Sequence, residues 1–189
     1  MLLGLTGGYC AGKNAVAALL EVRGWTCIDV DKLGHEAIEL ARDAIAARFG
    51  PAALGADGQV DRRALARIVF SDPAALAAQE AIVHPLAIRL LEERIAAAEA
   101  AARAEGRTPR ICINAALLHR AGRIASCDAI VEVRAPCLLR LARGLRRDGG
   151  GLAATARRVS RQRGFRAALR QAASGAGVPI LALRNAGGR

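Results

Sequence analysis

The chain has almost no lysine, few aromatic rings and no paired cysteines. Of its 28 basic residues only Lys13 and Lys32 are lysine, so each marks a position that the arginine-biased composition does not fill by default. Aromatic residues make up 3% of the 189, and Phe165 is the only one after residue 133. The C-terminal third therefore lacks the rings on which single-strand binders stack bases. The five cysteines, Cys10, Cys27, Cys112, Cys127 and Cys137, form no C-x-x-C pair and have no histidine at zinc-ligand spacing. Neither a structural zinc site nor a disulfide framework is indicated. No uninterrupted apolar segment approaches the roughly 18–20 residues of a membrane span, and no basic stretch precedes an apolar run at the N-terminus. The expectation is a soluble, cytoplasmic protein with no membrane partner. The dinucleotide fingerprint G-x-G-x-x-G is also missing.

What is present supports a packed core: 53% of residues are hydrophobic and 24% charged, a balance unlike that of disordered chains. The length suits one domain with an inserted subdomain. Charge is unevenly spread. Residues 1–133 carry 15 Lys and Arg against 16 Asp and Glu, whereas residues 134–189 carry 13 Arg against Asp148 alone. Such a basic segment fits either nucleic acid or a clamp on a phosphorylated small molecule.

Along the chain, Met1–Thr6 reads as a strand, GGYCAGKN as a glycine turn, and Val16, Leu19, Leu20 and Arg23 as a helix ended by Gly24. TCIDVD reads as a second strand finishing in Asp29 and Asp31. Residues 32–49 are helical in period, and after the turn-rich stretch 50–61 come helices at about 61–70, 73–81 and 85–105. Strands resume with RICINA and DAIVEV. A helix over 136–147, helical patterns over 152–173 and a last strand, VPILALR, follow the same alternation. The pattern predicts an α/β fold with a parallel sheet covered on both faces.

Gly7-Gly8-Tyr9-Cys10-Ala11-Gly12-Lys13 matches the G-x-x-x-x-G-K part of a Walker A loop in its required context between strand and helix. Glycines let backbone N–H groups face phosphate oxygens, the helix N-terminus adds positive potential, and the lysine reaches the outer phosphates. The Ser or Thr expected after the lysine, whose hydroxyl ligates Mg²⁺, is Asn14, followed by Ala15. An amide oxygen also ligates a hard cation, so Asn14 is the candidate metal ligand. Cys10 places a thiol beside a helix N-terminus and Lys13, where sensitivity to oxidation is one expectation.

With this loop, Asp29-Val30-Asp31, Asp57-Gly58-Gln59-Val60-Asp61-Arg62, the His84-Pro85 pair, the arginines ending in Arg147-Asp148, Gln162 and Asn185-Ala186-Gly187, nearly the whole chain resembles the dephospho-coenzyme A kinase family. The resemblance implies a P-loop NTPase three-layer fold with a parallel sheet, a helical CoA-binding insertion and a lid. It is expected as a single kinase domain over 1–189, with core 1–50 and 108–189, insertion about 51–107 and lid about 146–163. It also implies ATP-dependent phosphorylation of the ribose 3′-hydroxyl of dephospho-CoA, the final step of coenzyme A biosynthesis, with ATP and Mg²⁺ and without a specific nucleic-acid partner.

By that resemblance Asp31, Lys13 and Arg147 are catalytic, with Asp31 orienting the hydroxyl and Asp29 in reserve. Gly8, Tyr9, Cys10, Ala11, Gly12, Lys13, Asn14, Ala15, Arg143 and Asn185 would hold the nucleotide, and Asp31 and His84 the substrate. Without it, Asp31 also reads as a solvated strand end or a helix cap, His84 as a cap or packed residue before Pro85, and Arg143 and Arg147 as one solvated helix face. Two positions depart from the family: Asn14, and Arg120 in Ala116–Arg120, where a P-L-L-F-E box ends in glutamate. These departures and the basic tail keep two alternatives open. One is a nucleotide or nucleoside kinase; the other is a catalytically weakened relative that binds nucleotides or nucleic acid.

Overall fold

The computed structural model describes residues 1–148, 151–160 and 164–186. Among these residues five strands, β1 (Leu2–Gly7), β2 (Thr26–Asp29), β3 (Ile111–Asn114), β4 (Ala129–Arg134) and β5 (Ile180–Arg184), form one sheet in the order β2-β3-β1-β4-β5. Every pairing is parallel. Parallel strands need covered faces, and their sequences accordingly run apolar without strict alternation. β3 is buried throughout, and β1 is buried from Leu3 onward. The two edge strands are less covered: β2 leaves Thr26 exposed, and β5 leaves Leu181 and Leu183 exposed.

Among the described residues eight helices accompany the strands: α1 (Lys13–Glu21), α2 (Val30–Leu40), α3 (Arg42–Phe49), α4 (Arg62–Ser71), α5 (Pro73–Ala104), α6 (Cys137–Asp148), α7 (Leu152–Ser160) and α8 (Phe165–Gly175). The chain divides into two compact units, one of residues 1–29 with 95–189 and one of residues 30–94. In the first, α1 packs on β1, β2 and β3. Leu5, Ala11, Ala17, Cys112 and Val133 form a buried cluster there, with Val16, Leu20 and Trp25 against it. Full burial of one such leucine or valine contributes about 1.5–3 kcal/mol, so the phosphate loop, through Ala11, is built directly onto core.

The second unit buries Leu33, Ile45, Leu65 and Val69. Asp61 caps α4, its carboxylate accepting from the backbone N–H of Arg63 at 2.9 Å and of Ala64 at 3.1 Å. These bonds hold its carboxyl below the usual range. Arg94 on α5 donates to Glu36 on α2 at 3.1 Å.

Several boundaries differ from the sequence reading. β2 stops at Asp29, and Asp31 lies in the first turn of α2. Leu33 and Ala37, buried at helical spacing, prevail over the D-V-D alternation, and an acid in the first turn suits the helix dipole. The helices expected at 73–81 and 85–105 are one helix, α5, with Pro85 inside. Proline there forfeits a backbone bond at a cost of about 3 kcal/mol, offset by burial of Val83, Leu90, Leu91 and Ile95 on either side. His84 is therefore mid-helix and exposed, not a cap.

The helical stretch 32–49 is two helices meeting at Ala41, and 152–173 is divided, with Gly164 in a left-handed conformation opening α8. α5 is long and apolar enough to cross a membrane by length and composition. Its apolar character is mostly alanine, and it carries an Arg89–Glu93 ion pair. Of the expected lid, residues 149–150 and 161–163, including Gln162, lie outside the described residues, as does Gly187 of the Asn185-Ala186-Gly187 element.

Candidate active site

The loop between β1 and α1 owes its shape to two glycines with little room around them. A Cβ at Gly7 would sit 2.7 Å from the Val133 carbonyl oxygen of β4. Gly12 has φ +98°, and a Cβ there would collide with Nδ2 of Asn185. Cys10, at φ +56°, is a non-glycine residue in left-handed backbone space, a sparsely populated conformation that tends to accompany functional sites. Ala11 N–H donates to the Gly8 carbonyl at 2.9 Å, closing the turn. Gly12 begins α1 with no side-chain cap, and no acid occupies the first turn. The first N–H groups of α1 thus point toward the loop, a favourable environment for anions. Lys13 is the first residue of that helix.

One face of α6 grips this loop. Arg140, Arg143 and Arg147 recur at i, i+3 and i+7, which aligns them on the helix surface. Arg140 Nε donates to the Tyr9 carbonyl at 2.7 Å. Arg143 Nη1 donates to the Ala11 carbonyl at 3.4 Å, while its Nη2 reaches Asn185 Oδ1 at 3.1 Å. Asn185 Nδ2 in turn donates to the Ala11 carbonyl at 3.0 Å. Arg147 lies over the Tyr9 ring, 4.9 Å from its centroid. Burial, and then the positive charge of Arg166, lower the pKa of Arg140. It remains a cation at neutral pH.

Beside the loop lies a cavity of about 460 Å³ lined by Gly8, Ala11, Arg134, Arg140, Phe165 and Arg166 among others. Two of its arginines are anchored from behind. Glu132, 2% exposed, accepts from Arg134 Nε at 2.8 Å and from Arg166 Nε at 2.7 Å. Among the described residues the cavity lining carries arginines and no carboxylate, and the buried Glu132 outside it orients two of those guanidinium groups.

Asn14 Oδ1 accepts from Nδ2 of Asn114, the last residue of β3, at 3.4 Å. Asn114 is 3% exposed, and its own Oδ1 has no hydrogen-bond partner among the described residues. In register, Asn114 stands opposite Asp29 of β2 and Leu5 of β1. A buried, unsatisfied amide oxygen beside the residue following the loop lysine suits a hard cation, which takes oxygen ligands. The donor set fits Mg²⁺, though with neutral amides in place of a hydroxyl and a carboxylate. Among the described residues no group of three or more His, Cys, Asp and Glu side chains is placed to hold a metal.

The structure brings together Gly8 to Ala15, Arg143, Arg147 and Asn185. Asp31 and His84 are exposed residues of the 30–94 unit. Arg120 is exposed on a turn of 3₁₀ helix after β3. The buried Cys112 and Cys127 thiols are pushed up by burial, Cys127 to about 11, which keeps them protonated and inert. The sequence reading did not single out Asn114, Glu132, Arg134, Arg140 or Arg166. The excess of arginine after residue 133 was the one sign of the last three.

The model of the dephospho-CoA kinase family matches residues 1–174. A dephospho-CoA kinase of Moorella thermoacetica is 40% identical over 174 residues, covering 90% of this chain and 80% of that protein. One from Geobacter metallireducens is 40% identical over 165 residues, 86% of this chain and 80% of that protein. A crystal structure of a Thermus thermophilus protein superposes with a TM-score of 0.80 at 33% identity, covering 99% of this chain and 89% of the other. The dephospho-CoA kinase from Campylobacter jejuni shares the fold, with a TM-score of 0.67 at 20% identity and coverages of 99% and 89%.

Proposed function

Because the chain belongs to the dephospho-CoA kinase family, we propose that it transfers the γ-phosphoryl group of ATP to the ribose 3′-hydroxyl of dephospho-CoA, giving CoA and ADP as the last step of coenzyme A biosynthesis. The observation that carries this reading is the phosphate loop Gly7–Lys13, held through its own carbonyls by Arg140, Arg143 and Asn185. Phosphoryl transfer needs alignment and positive charge more than covalent chemistry, and this site is a rigid loop surrounded by cations.

Lys13 and the α1 N-terminus neutralise the outer phosphates, and Arg147 stabilises charge on the transferring group. Arg143 and Asn185 border the nucleotide. The Asp31 carboxylate accepts the hydroxyl proton as the new O–P bond forms and the bond to the β-phosphate oxygen breaks. His84 serves the CoA side. A magnesium ion bound with ATP supplies further charge neutralisation, with Asn14 and Asn114 as its protein ligands. The enzyme works in the cytoplasm.

The Asn14–Asn114 pair favours a second reading, a family member slowed by a weak metal site. ADP release distinguishes the possibilities when measured with dephospho-CoA, with nucleoside monophosphates, and with RNA or DNA. Turnover confined to dephospho-CoA supports the proposal. ATP binding with no turnover on any of them overturns it.

A further inference from the structure

Tyr9 is the only tyrosine in the chain and stands in the middle of the phosphate loop. Its ring is met by guanidinium groups from two different helices: Arg147 of α6 at 4.9 Å and Arg158 of α7 at 6.0 Å from the centroid. Both distances fall within the range of cation–π attraction. The two helices close around the ring because residue 144 has no side chain. A Cβ on Gly144 would lie 2.9 Å from Tyr9 Cε1 and 2.6 Å from Cγ2 of Thr155, which is 2% exposed. The backbone of Tyr9 is held as well, through the bond from Arg140 to its carbonyl at 2.7 Å. One loop residue is thus fixed by α6 through its main chain and meets arginines of α6 and α7 through its side chain.

We propose that Tyr9 is a positioning residue for the phosphate-directed arginines, its ring face holding Arg147, and less closely Arg158, beside the loop before ATP binds. The proposal rests on the reading of Arg147 as a group that stabilises the transferring phosphoryl. Arg147 is exposed on its helix, and a long side chain in solvent loses much rotamer freedom when it engages a phosphate. A ring that already restricts those rotamers reduces that loss. Arginine, planar and weakly hydrated, is suited to stacking and phosphate contact alike. The contact is made by the ring face, so the ring alone should suffice.

The test has two readouts. Tyrosine-selective labelling gives ring NMR signals from Tyr9 alone, and in the substrate-free protein Arg147→Ala should shift them. Unmoved signals overturn the proposal. In steady-state kinetics Tyr9→Leu should lower kcat on the order of tenfold, with the KM for dephospho-CoA changed less than about twofold, and Tyr9→Phe should recover most of that loss. In an Arg147→Ala background the same Tyr9→Leu change should cost less than about twofold. Equal losses in both backgrounds, or a Phe variant as impaired as the Leu variant, overturn the proposal. If the wild-type protein turned over no dephospho-CoA, the kinase reading would fall. The same cycle read in ATP affinity would then decide the role of Tyr9, additive losses overturning it.

Discussion

Asn114, at the end of β3, donates from Nδ2 to Oδ1 of Asn14 across 3.4 Å, tying a central strand to the residue after the loop lysine. In P-loop NTPases a Ser or Thr hydroxyl and an acidic residue hold the magnesium ion; here two neutral amides face each other. Replacing Asn14 by Thr is expected to lower the Mg²⁺ concentration for half-maximal rate, on the order of tenfold when combined with Asn114→Asp, because ligand charge tunes affinity for hard cations. Magnesium titration of initial rates checks this. An unchanged requirement would mean that the amide pair already serves the ion as well.

Asp31 supplies a second prediction. Asp31→Asn keeps the size of the side chain and removes its capacity to take a proton. General-base catalysis contributes roughly 10²–10⁴-fold, so turnover should fall by about that factor while ATP affinity, measured by direct titration, stays within about twofold. Near-normal turnover would remove Asp31 as the base and turn attention to Asp29.

Glu132 concerns stability. Its side chain is 3% exposed, whereas its partners Arg134 and Arg166 are 34% and 51% exposed, so water compensates part of any broken pair. Glu132→Gln should cost about 1–3 kcal/mol, near the worth of hydrogen bonds to a charged group. Urea unfolding checks it: the midpoint should fall with an unchanged m-value. A midpoint equal to the wild type would contradict the anchoring role given to Glu132.

Asp61 gives a prediction in pH. The backbone N–H groups of Ala64 and Arg63 hold its carboxyl below the usual range. A depressed folded-state pKa stabilises the fold above the unfolded-state pKa, and that contribution is lost as pH falls through the folded-state value. Asp61→Ala should therefore lower the melting temperature at neutral pH, with the difference from wild type shrinking as pH falls through and below the carboxylate range. A difference that does not vary with pH would show that the charge contributes nothing.

The phosphate loop was legible because its signals are local: an apolar run, glycines at fixed offsets, a lysine and a helical period follow one another within 20 residues. Arg143 and Arg147 were legible as one helix face for the same reason. Asp31 was misplaced on a strand because D-V-D alternates like one, and only the burial of Leu33 and Ala37 in α2 reveals the helix. Pro85 suggested a helix boundary because its local cost is plain, while the packing of Val83 and Leu90 that offsets it is not. Arg140 and Asn114 escaped notice for a topological reason. Arg140 meets Tyr9 across 131 positions of sequence, and Asn114 reaches Asn14 across 100. Both contacts exist because the parallel sheet sets β3 and β4 on either side of β1.

Following the γ-phosphoryl group distinguishes transfer to a ribose hydroxyl from transfer to water. With ATP labelled at the γ-phosphate and dephospho-CoA present, the label should appear on the 3′-oxygen of CoA in equal amount to the ADP formed. ADP accompanied only by labelled inorganic phosphate, or no ADP from a protein that binds ATP, would contradict it.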